Sequence, residues 1–219
     1  MAITSGYNPE RVNRAVKGIV VGMEGYFEAM NRDMQDKFVK PMSSLWACEQ
    51  AQRLFNGKYK PEMDKIYSSA SNILRNIIEH VNSAGVAYAK TTESEFSPIS
   101  FEIPANACDV SIIVDNIGGD KGIDQAGAND TVKIIDSLVS RAESSLDSLK
   151  QSAAESGILS VGDSYQAALD SSVNTLKQQV VDFANDLKAE FNALVQQTTE
   201  QYGSLESQAV DAASGASGM

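Results

Sequence analysis

The stretch LDSSVNTLKQQVVDFANDLKAEFNALVQQTTEQY, Leu169 to Tyr202, decides the fold class of this chain. One set of positions in it recurs every three or four residues, which is the spacing of one face of an α-helix. The positions on this almost wholly apolar face are Leu169, Val173, Leu176, Val180, Phe183, Leu187, Phe191, Leu194, Thr198 and Tyr202. The spacing predicts a helix of roughly 60 Å whose apolar face is close to a coiled-coil seam.

The same spacing predicts three earlier helices. The first begins with Asn8 as its cap and Pro9 in its first turn, and is expected to end at Pro41. The second follows a short turn and is expected to kink or divide at Pro61. The third spans about residues 130–154. The pattern therefore predicts an all-α protein.

A different pattern lies between the second and third predicted helices. In SFEIPANACDVSIIVD, residues 100–115, apolar and polar residues alternate on either side of a turn-like PANA. This alternation predicts a β-hairpin. The residues expected to pair or pack are Ile99, Phe101, Ile103, Val110, Ile112 and Val114. Two strands alone are marginal in water, so the hairpin must pack on the helices or pair with another chain.

The helices and the hairpin together predict an elongated bundle of two helical hairpins with a small β-hairpin in the connecting segment. The first helical hairpin covers residues 1–96. A linker with the β-hairpin and a Gly/Asp loop covers residues 97–129. The second helical hairpin, with a flexible C-terminal tail, covers residues 130–219. Apolar positions of the two halves coincide in register, Ile77 with Phe191 for example, which leaves an internal duplication open.

Composition excludes several classes of function. The chain carries 29 Asp and Glu against 18 Lys and Arg, a net charge of -11. Nucleic acids and anionic membranes select basic surfaces, so this balance disfavours both as partners, and we expect no nucleic acid partner. The longest apolar runs are a few residues, so no membrane insertion is expected. The beginning of the chain lacks the charge and apolar pattern of a signal peptide.

Catalytic and metal-binding patterns are also missing from the sequence. The single histidine, His80, stands in a helical stripe without a nucleophile at matching spacing. No phosphate loop and no Cys/His cluster occurs, and Cys48 and Cys108 lack metal-ligand spacing. We therefore expect no enzyme activity, no catalytic residue, no metal site and no cofactor.

A row of small residues runs beside the apolar face of the first predicted helix. It consists of Gly18, Gly22, Gly25 and Ala29. Each interior glycine costs a helix about 1 kcal/mol relative to alanine, so several together indicate that another helix approaches closely. That helix could be the second of the same hairpin or could belong to another subunit, and we favour the intramolecular contact.

The only tryptophan, Trp46, stands in the turn between the first two predicted helices, two residues before Cys48. A helical hairpin with tryptophan in its turn resembles the WxG family, the early-secreted-antigen-like substrates of type VII secretion. Cys48 replaces the family's glycine. Trp46 could close the end of the bundle, or a secretion machine or partner could recognise it.

The family's secretion signal is a tyrosine followed four residues later by an acid. Tyr88 is followed by Thr92 and does not match, whereas Tyr202 is followed by Glu206 and does. The resemblance implies that these two residues form the export signal. It also implies a protein that is cytoplasmic before export and then secreted or at the cell surface, without a cleaved signal peptide.

The resemblance and the helical pattern together predict a non-enzymatic protein that docks to a helical partner or to its own copies, with homo-oligomers expected. The row of small residues and the strand pattern instead favour a structural subunit of an extracellular filament, tube or virion-like assembly. An adaptor or chaperone for a larger secreted toxin is a further alternative.

Overall fold

A computed structural model describes residues 8–45, 49–108, 123–156 and 163–216. Helices α1 (Pro9–Phe27), π1 (Glu28–Asp33), π2 (Gln35–Val39) and α2 (Lys40–Leu45) form one continuous helical rod, the first rod. Helices α3 (Glu49–Leu54), π3 (Phe55–Tyr59) and α4 (Lys60–Thr92) form the second rod. Helices α5 (Gln125–Ser156) and α6 (Asp163–Ala216) complete the bundle. The prediction of an all-α protein is confirmed.

The first helix begins where its capping residues predict. Asn8 accepts a hydrogen bond on its side-chain oxygen from the Arg11 backbone N–H, at 2.9 Å, and Pro9 occupies the first turn. This arrangement satisfies one of the backbone donors that every helix leaves free at its beginning. The predicted start of the first helix is therefore confirmed.

The prediction that Pro41 ends the first helix is wrong, because the rod widens before the proline instead of stopping. A proline ring clashes with the carbonyl four residues earlier in an α-helix and cannot donate a hydrogen bond to it. Just before each proline, the backbone hydrogen bond reaches back five residues instead of four. Lys40 N–H donates to the Gln35 carbonyl, and Lys60 N–H donates to the Phe55 carbonyl. These wider turns let both rods pass through Pro41 and Pro61.

The first rod, the second rod, α5 and α6 pack side by side around one core. Gly18 of α1 lies beside Ser152 and Gly25 beside Ser145, so the first rod runs antiparallel to α5. Ion pairs join α5 to α6, as between Asp147 and Lys177 at 2.8 Å. The buried side chains of all four pieces belong to one continuous cluster. The predicted segments 1–96 and 130–219 therefore share a core among the described residues.

An aromatic cluster forms the part of this core where both rods meet α6. Phe38, Phe55, Tyr59 and Phe191 are each 0% exposed. The Phe191 ring lies 5.6 Å from the Phe38 ring and 6.0 Å from the Tyr59 ring, centroid to centroid. Tyr59 also donates a hydrogen bond from its hydroxyl to the Asp186 carbonyl at 3.1 Å. Residues from both predicted hairpins therefore pack against one another.

The predicted strand at Ile99, Phe101 and Ile103 is absent, because residues 94–108 run back along the bundle as an extended strap. The second rod and α5 are parallel, so the chain must return along the bundle before α5 begins. Asn82 holds the strap by accepting from Ile99 N–H at 2.6 Å and donating to the Ile99 carbonyl at 3.1 Å. Asn31 likewise donates to the Ala105 carbonyl at 2.8 Å.

These side-chain amides supply the hydrogen bonds that a neighbouring strand would supply in a sheet. The alternating apolar side chains of the strap pack on the helices. Ile99 is buried, while Phe101 and Ile103 are half-buried against the core. The other half of the predicted hairpin, Val110, Ile112 and Val114, lies outside the described residues.

The row of small residues on α1 faces α5 of the same chain. A Cβ atom built on Gly22 would lie 2.7 Å from the Leu149 Cβ and 2.9 Å from the Ser145 carbonyl oxygen. Cβ atoms on Gly18 and Gly25 would meet the hydroxyls of Ser152 and Ser145. The close approach is intramolecular, but its partner is α5 and not the second helix of the predicted hairpin.

A buried carboxylate ties the first rod to α5. Asp33, 6% exposed, accepts hydrogen bonds from Lys37 at 2.7 Å and from Arg141 at 2.5 Å. Burial alone would raise the pKa of this carboxyl, but the bonds from Lys37 and Arg141 outweigh burial and hold the pKa below its usual value. The ionised form is therefore the one that stabilises the fold.

Replacing Asp33 with asparagine should lower the free energy of unfolding by about 1–2 kcal/mol at pH 7, less than for a fully buried pair because Lys37 and Arg141 are half-exposed. A depressed pKa stabilises the fold above the unfolded-state value of about 4. That contribution is lost as the pH falls through the folded-state pKa. Urea denaturation from pH 7 to pH 2.5 should therefore show the difference shrinking below about pH 4.

The matched control is Asp36→Asn, because Asp36 pairs with Lys40 on the exposed side of the same rod. That substitution should change stability by less than about 0.5 kcal/mol. A loss in Asp33→Asn that stays constant across the whole pH range would show that the charge of Asp33 is not what stabilises the bundle.

Candidate docking site on the last helix

Helix α6 is longer than the bundle it belongs to. Its 54 residues span about 80 Å, whereas the 32 residues of α5 span about 48 Å. Every residue from 201 to 210 is exposed. We call residues 201–216 of α6 the arm. It continues the helix past the end of the bundle where the first rod ends and α5 begins.

The predicted pair Tyr202 and Glu206 lies at the base of the arm. Both residues are exposed, Tyr202 by 40%, and they stand one turn apart on one face of the helix. They line a cleft of about 330 Å³ together with Ile123 and Gln125, which precede and begin α5. A partner could therefore reach both side chains without disturbing the core.

Gly203, between them, leaves this face open. A Cβ atom built on Gly203 would meet nothing within 4 Å. Neither packing nor a turn requires a glycine there.

The apolar stripe of α6 does not stop where the bundle stops. Phe191 and Val195 are buried in the core, and Thr198 is 3% exposed. Past this point the stripe continues through Tyr202 to Leu205, which is 59% exposed. Exposed apolar side chains at helical spacing are typical of a helix that docks into a groove. The arm therefore offers a continuation of the core seam without a partner in the described part of the chain.

The charge of the arm is of one sign. Its charged residues are the acids Glu206 and Asp211, and the last basic residue of the sequence, Lys188, precedes the arm. Glu206 forms no ion pair with another described residue. A surface that combines a narrow apolar stripe with acids suits a partner with an apolar groove and nearby cations.

The turn residues Trp46 and Cys48 lie outside the described residues. On either side of them the first rod ends at Leu45 and α3 begins at Glu49. The Leu45 carbonyl accepts a hydrogen bond from the Asp124 N–H at 3.0 Å. Asp124 in turn caps α5 by accepting from the Gly127 N–H at 3.0 Å. Helix α5 therefore begins at Gln125, inside the predicted linker.

Of the remaining candidate reactive groups among the described residues, Cys108 lies in the interior and His80 is half-buried. Cys108 is buried and donates its thiol hydrogen to the Asn31 carbonyl at 3.1 Å, and burial raises its pKa to about 12. Burial lowers the pKa of His80. Within residues 8–45, 49–108, 123–156 and 163–216, no three His, Cys, Asp or Glu side chains are grouped so that they could hold a metal ion.

No helix in the described part of the chain has the length and apolar character needed to cross a membrane. Comparison with known proteins found no family model, no curated protein and no solved structure that matches the chain.

The arm as a projecting element was not predicted from the sequence, although two signals pointed to it. The stripe of the last helix continues to Leu205, and lysine and arginine are missing after Lys188. Both signals indicate a projecting helix only when the lengths of the other helices are known. An apolar position lacks a partner only where the neighbouring helices have ended.

Proposed function

We propose that this protein is a non-enzymatic docking protein that resembles the substrates of type VII secretion, and that its partner recognises it at the base of the arm. The observation that carries the proposal is the exposure of Tyr202 and Glu206 one turn apart on a helix that projects from the bundle. An export signal must be accessible while the protein is folded, and these two side chains meet that condition. The WxG-like sequence at Trp46 and Cys48, where a turn is predicted, is the second support.

The architecture also favours docking over catalysis. The bundle is filled by one continuous apolar core, and the thiol of Cys108, the cysteine within the described residues, is buried with a raised pKa. The polar side chains at the base of the arm are a tyrosine, a glutamate, a glutamine and a threonine in an open cleft. Such a set can recognise a surface by hydrogen bonds and contact area.

The proposal is tested by export of a Tyr202→Ala, Glu206→Ala double variant from a host that carries a type VII apparatus. We expect secretion to fall at least tenfold while the melting temperature stays near that of the wild type, since exposed changes usually alter stability by less than about 0.5 kcal/mol. Protein in the medium and in the cells is measured by immunoblot, and folding by circular dichroism.

The matched control is a Ser204→Ala, Gln208→Ala double variant, because this pair has the same spacing on the opposite exposed face of the arm. It should be exported normally. Normal export of the Tyr202→Ala, Glu206→Ala protein would remove the main support for a type VII route.

A further inference from the structure

We propose that the arm of one copy docks into a groove on a second copy, at the end of the bundle opposite to the arm, so that the chain assembles head to tail. This inference rests on the docking part of the proposed function and not on export. It is carried by three observations on the described residues: a groove of suitable chemistry, its position, and the direction of the arm.

The groove lies between the first half of α1 and the strap. It has a volume of about 630 Å³, and its apolar lining includes Val16, Val20, Pro98 and Ile99. Val21, at its edge, is 64% exposed and is the most exposed large apolar residue among those described. The core does not need Val21 in that position, so the residue is available for an apolar contact from outside.

The charge of the groove is opposite to that of the arm. Among the described residues that line the groove, Lys17 is the only charged one, and Arg14 stands one turn away on α1. Both are exposed, and neither forms an ion pair with another described residue. Placing Leu205 against Val21 would bring Glu206 near these cations, and such complementarity favours one orientation of the contact.

The positions of the two surfaces exclude contact within one chain. Gly22, next to Val21, packs on Leu149 of α5, which is about 36 Å along that helix from Gln125. The arm leaves the bundle beside Gln125 and points away from the groove. The arm can therefore reach this groove only on another copy of the chain.

A contact between two different surfaces of identical chains does not close on itself. Each bound copy presents a free arm at one end and a free groove at the other, so the assembly grows as a line or a helical filament unless its geometry closes into a ring. This assigns specific surfaces to the filament-subunit alternative without using the predicted hairpin at Val110–Val114.

The test uses two variants of the full chain, measured by sedimentation and by light scattering. Leu205→Lys removes the arm contact and Val21→Lys removes the groove contact, because each places a charge in the apolar interface. The wild type should form species that grow with concentration. Each variant alone should associate about 30-fold more weakly or worse, as expected for an interface hot spot, and run at the monomer mass of 23.5 kDa.

The decisive sample is an equimolar mixture of the two variants. Leu205→Lys keeps an intact groove and Val21→Lys keeps an intact arm, so the mixture should form a one-to-one dimer that does not grow further. An arm-to-arm interface would instead leave Val21→Lys assembling like the wild type. Val86→Lys is the control, because Val86 is an exposed valine, 54%, that lines neither surface.

A wild-type protein that stays monomeric at about 100 μM, or a mixture that stays monomeric while both variants keep native circular dichroism, would overturn the proposal. A measurement of export distinguishes a failure of this proposal from a failure of the proposed function. Val21→Lys leaves the whole arm with Tyr202 and Glu206 in place, so it should still be secreted if they are the signal, although it does not assemble.

Discussion

Replacing Phe191 with alanine should lower the free energy of unfolding by about 3–5 kcal/mol, the loss expected for a fully buried phenylalanine. The side chain is 0% exposed and stands between the Phe38 and Tyr59 rings. Its removal leaves a cavity lined by the stiff aromatic rings of the first and second rods, which cannot both move inward freely. We therefore place the expected loss near the upper end of that range.

The measurement is chemical denaturation followed both by circular dichroism and by tyrosine and tryptophan fluorescence. Because Phe191 touches both rods from α6, the two signals should shift together to lower denaturant concentration in a single transition. Asn192→Ala, an exposed change on the same helix, should leave the transition within about 0.5 kcal/mol. Two separate transitions in the variant would show that the predicted helical hairpins, residues 1–96 and 130–219, unfold independently.

Helix type and helix faces were predictable because they depend on local spacing. Leu176, Val180 and Leu187 recur at the period of a helix, and all three are 0% exposed in the core. The pairing of helices depends on which stripes meet, and every stripe of this chain is chemically similar. The sequence therefore predicted four helices but not that the first rod packs chiefly on α5.

The predictions of a helix end at Pro41 and of a strand at Ile99 were wrong for physical reasons. Pro41 forbids a regular α-helix but not a wider turn, and the Lys40 N–H still finds a partner at the Gln35 carbonyl. At Ile99 the extended backbone is bonded by Asn82 and not by a strand. Side-chain partners so far away in sequence cannot be recognised from local alternation.

In the candidate site, too, some features depend on local spacing and others depend on the packing of distant segments. That Tyr202 and Glu206 share one face follows from their spacing on a helix, which the sequence supplies. Their exposure follows instead from the length of α6 relative to its neighbours. The groove near Val21 could not be found in this way, since it exists only because the strap returns beside α1. A surface made from distant segments depends on the packing of the whole bundle.

Replacing Gly22 with leucine should destabilise the bundle by about 3 kcal/mol, at the upper end of the usual cost of overpacking. Even a Cβ atom there would lie 2.7 Å from the Leu149 Cβ and 2.9 Å from the Ser145 carbonyl oxygen. The carbonyl belongs to the backbone of α5, so relief requires the two helices to separate. Thermal melting and urea denaturation at neutral pH measure the loss.

The smaller change Gly22→Ala decides what the row of small residues is for. In an exposed helical site glycine to alanine stabilises by up to about 1 kcal/mol, and this gain is expected for Gly57→Ala, where a Cβ atom would meet nothing within 4 Å. At Gly22 the sign should reverse, because the close approach of α5 outweighs helix propensity. If Gly22→Ala stabilised the protein as Gly57→Ala does, α1 and α5 would not be in close contact in solution, and the glycines would be free to receive a helix from another subunit.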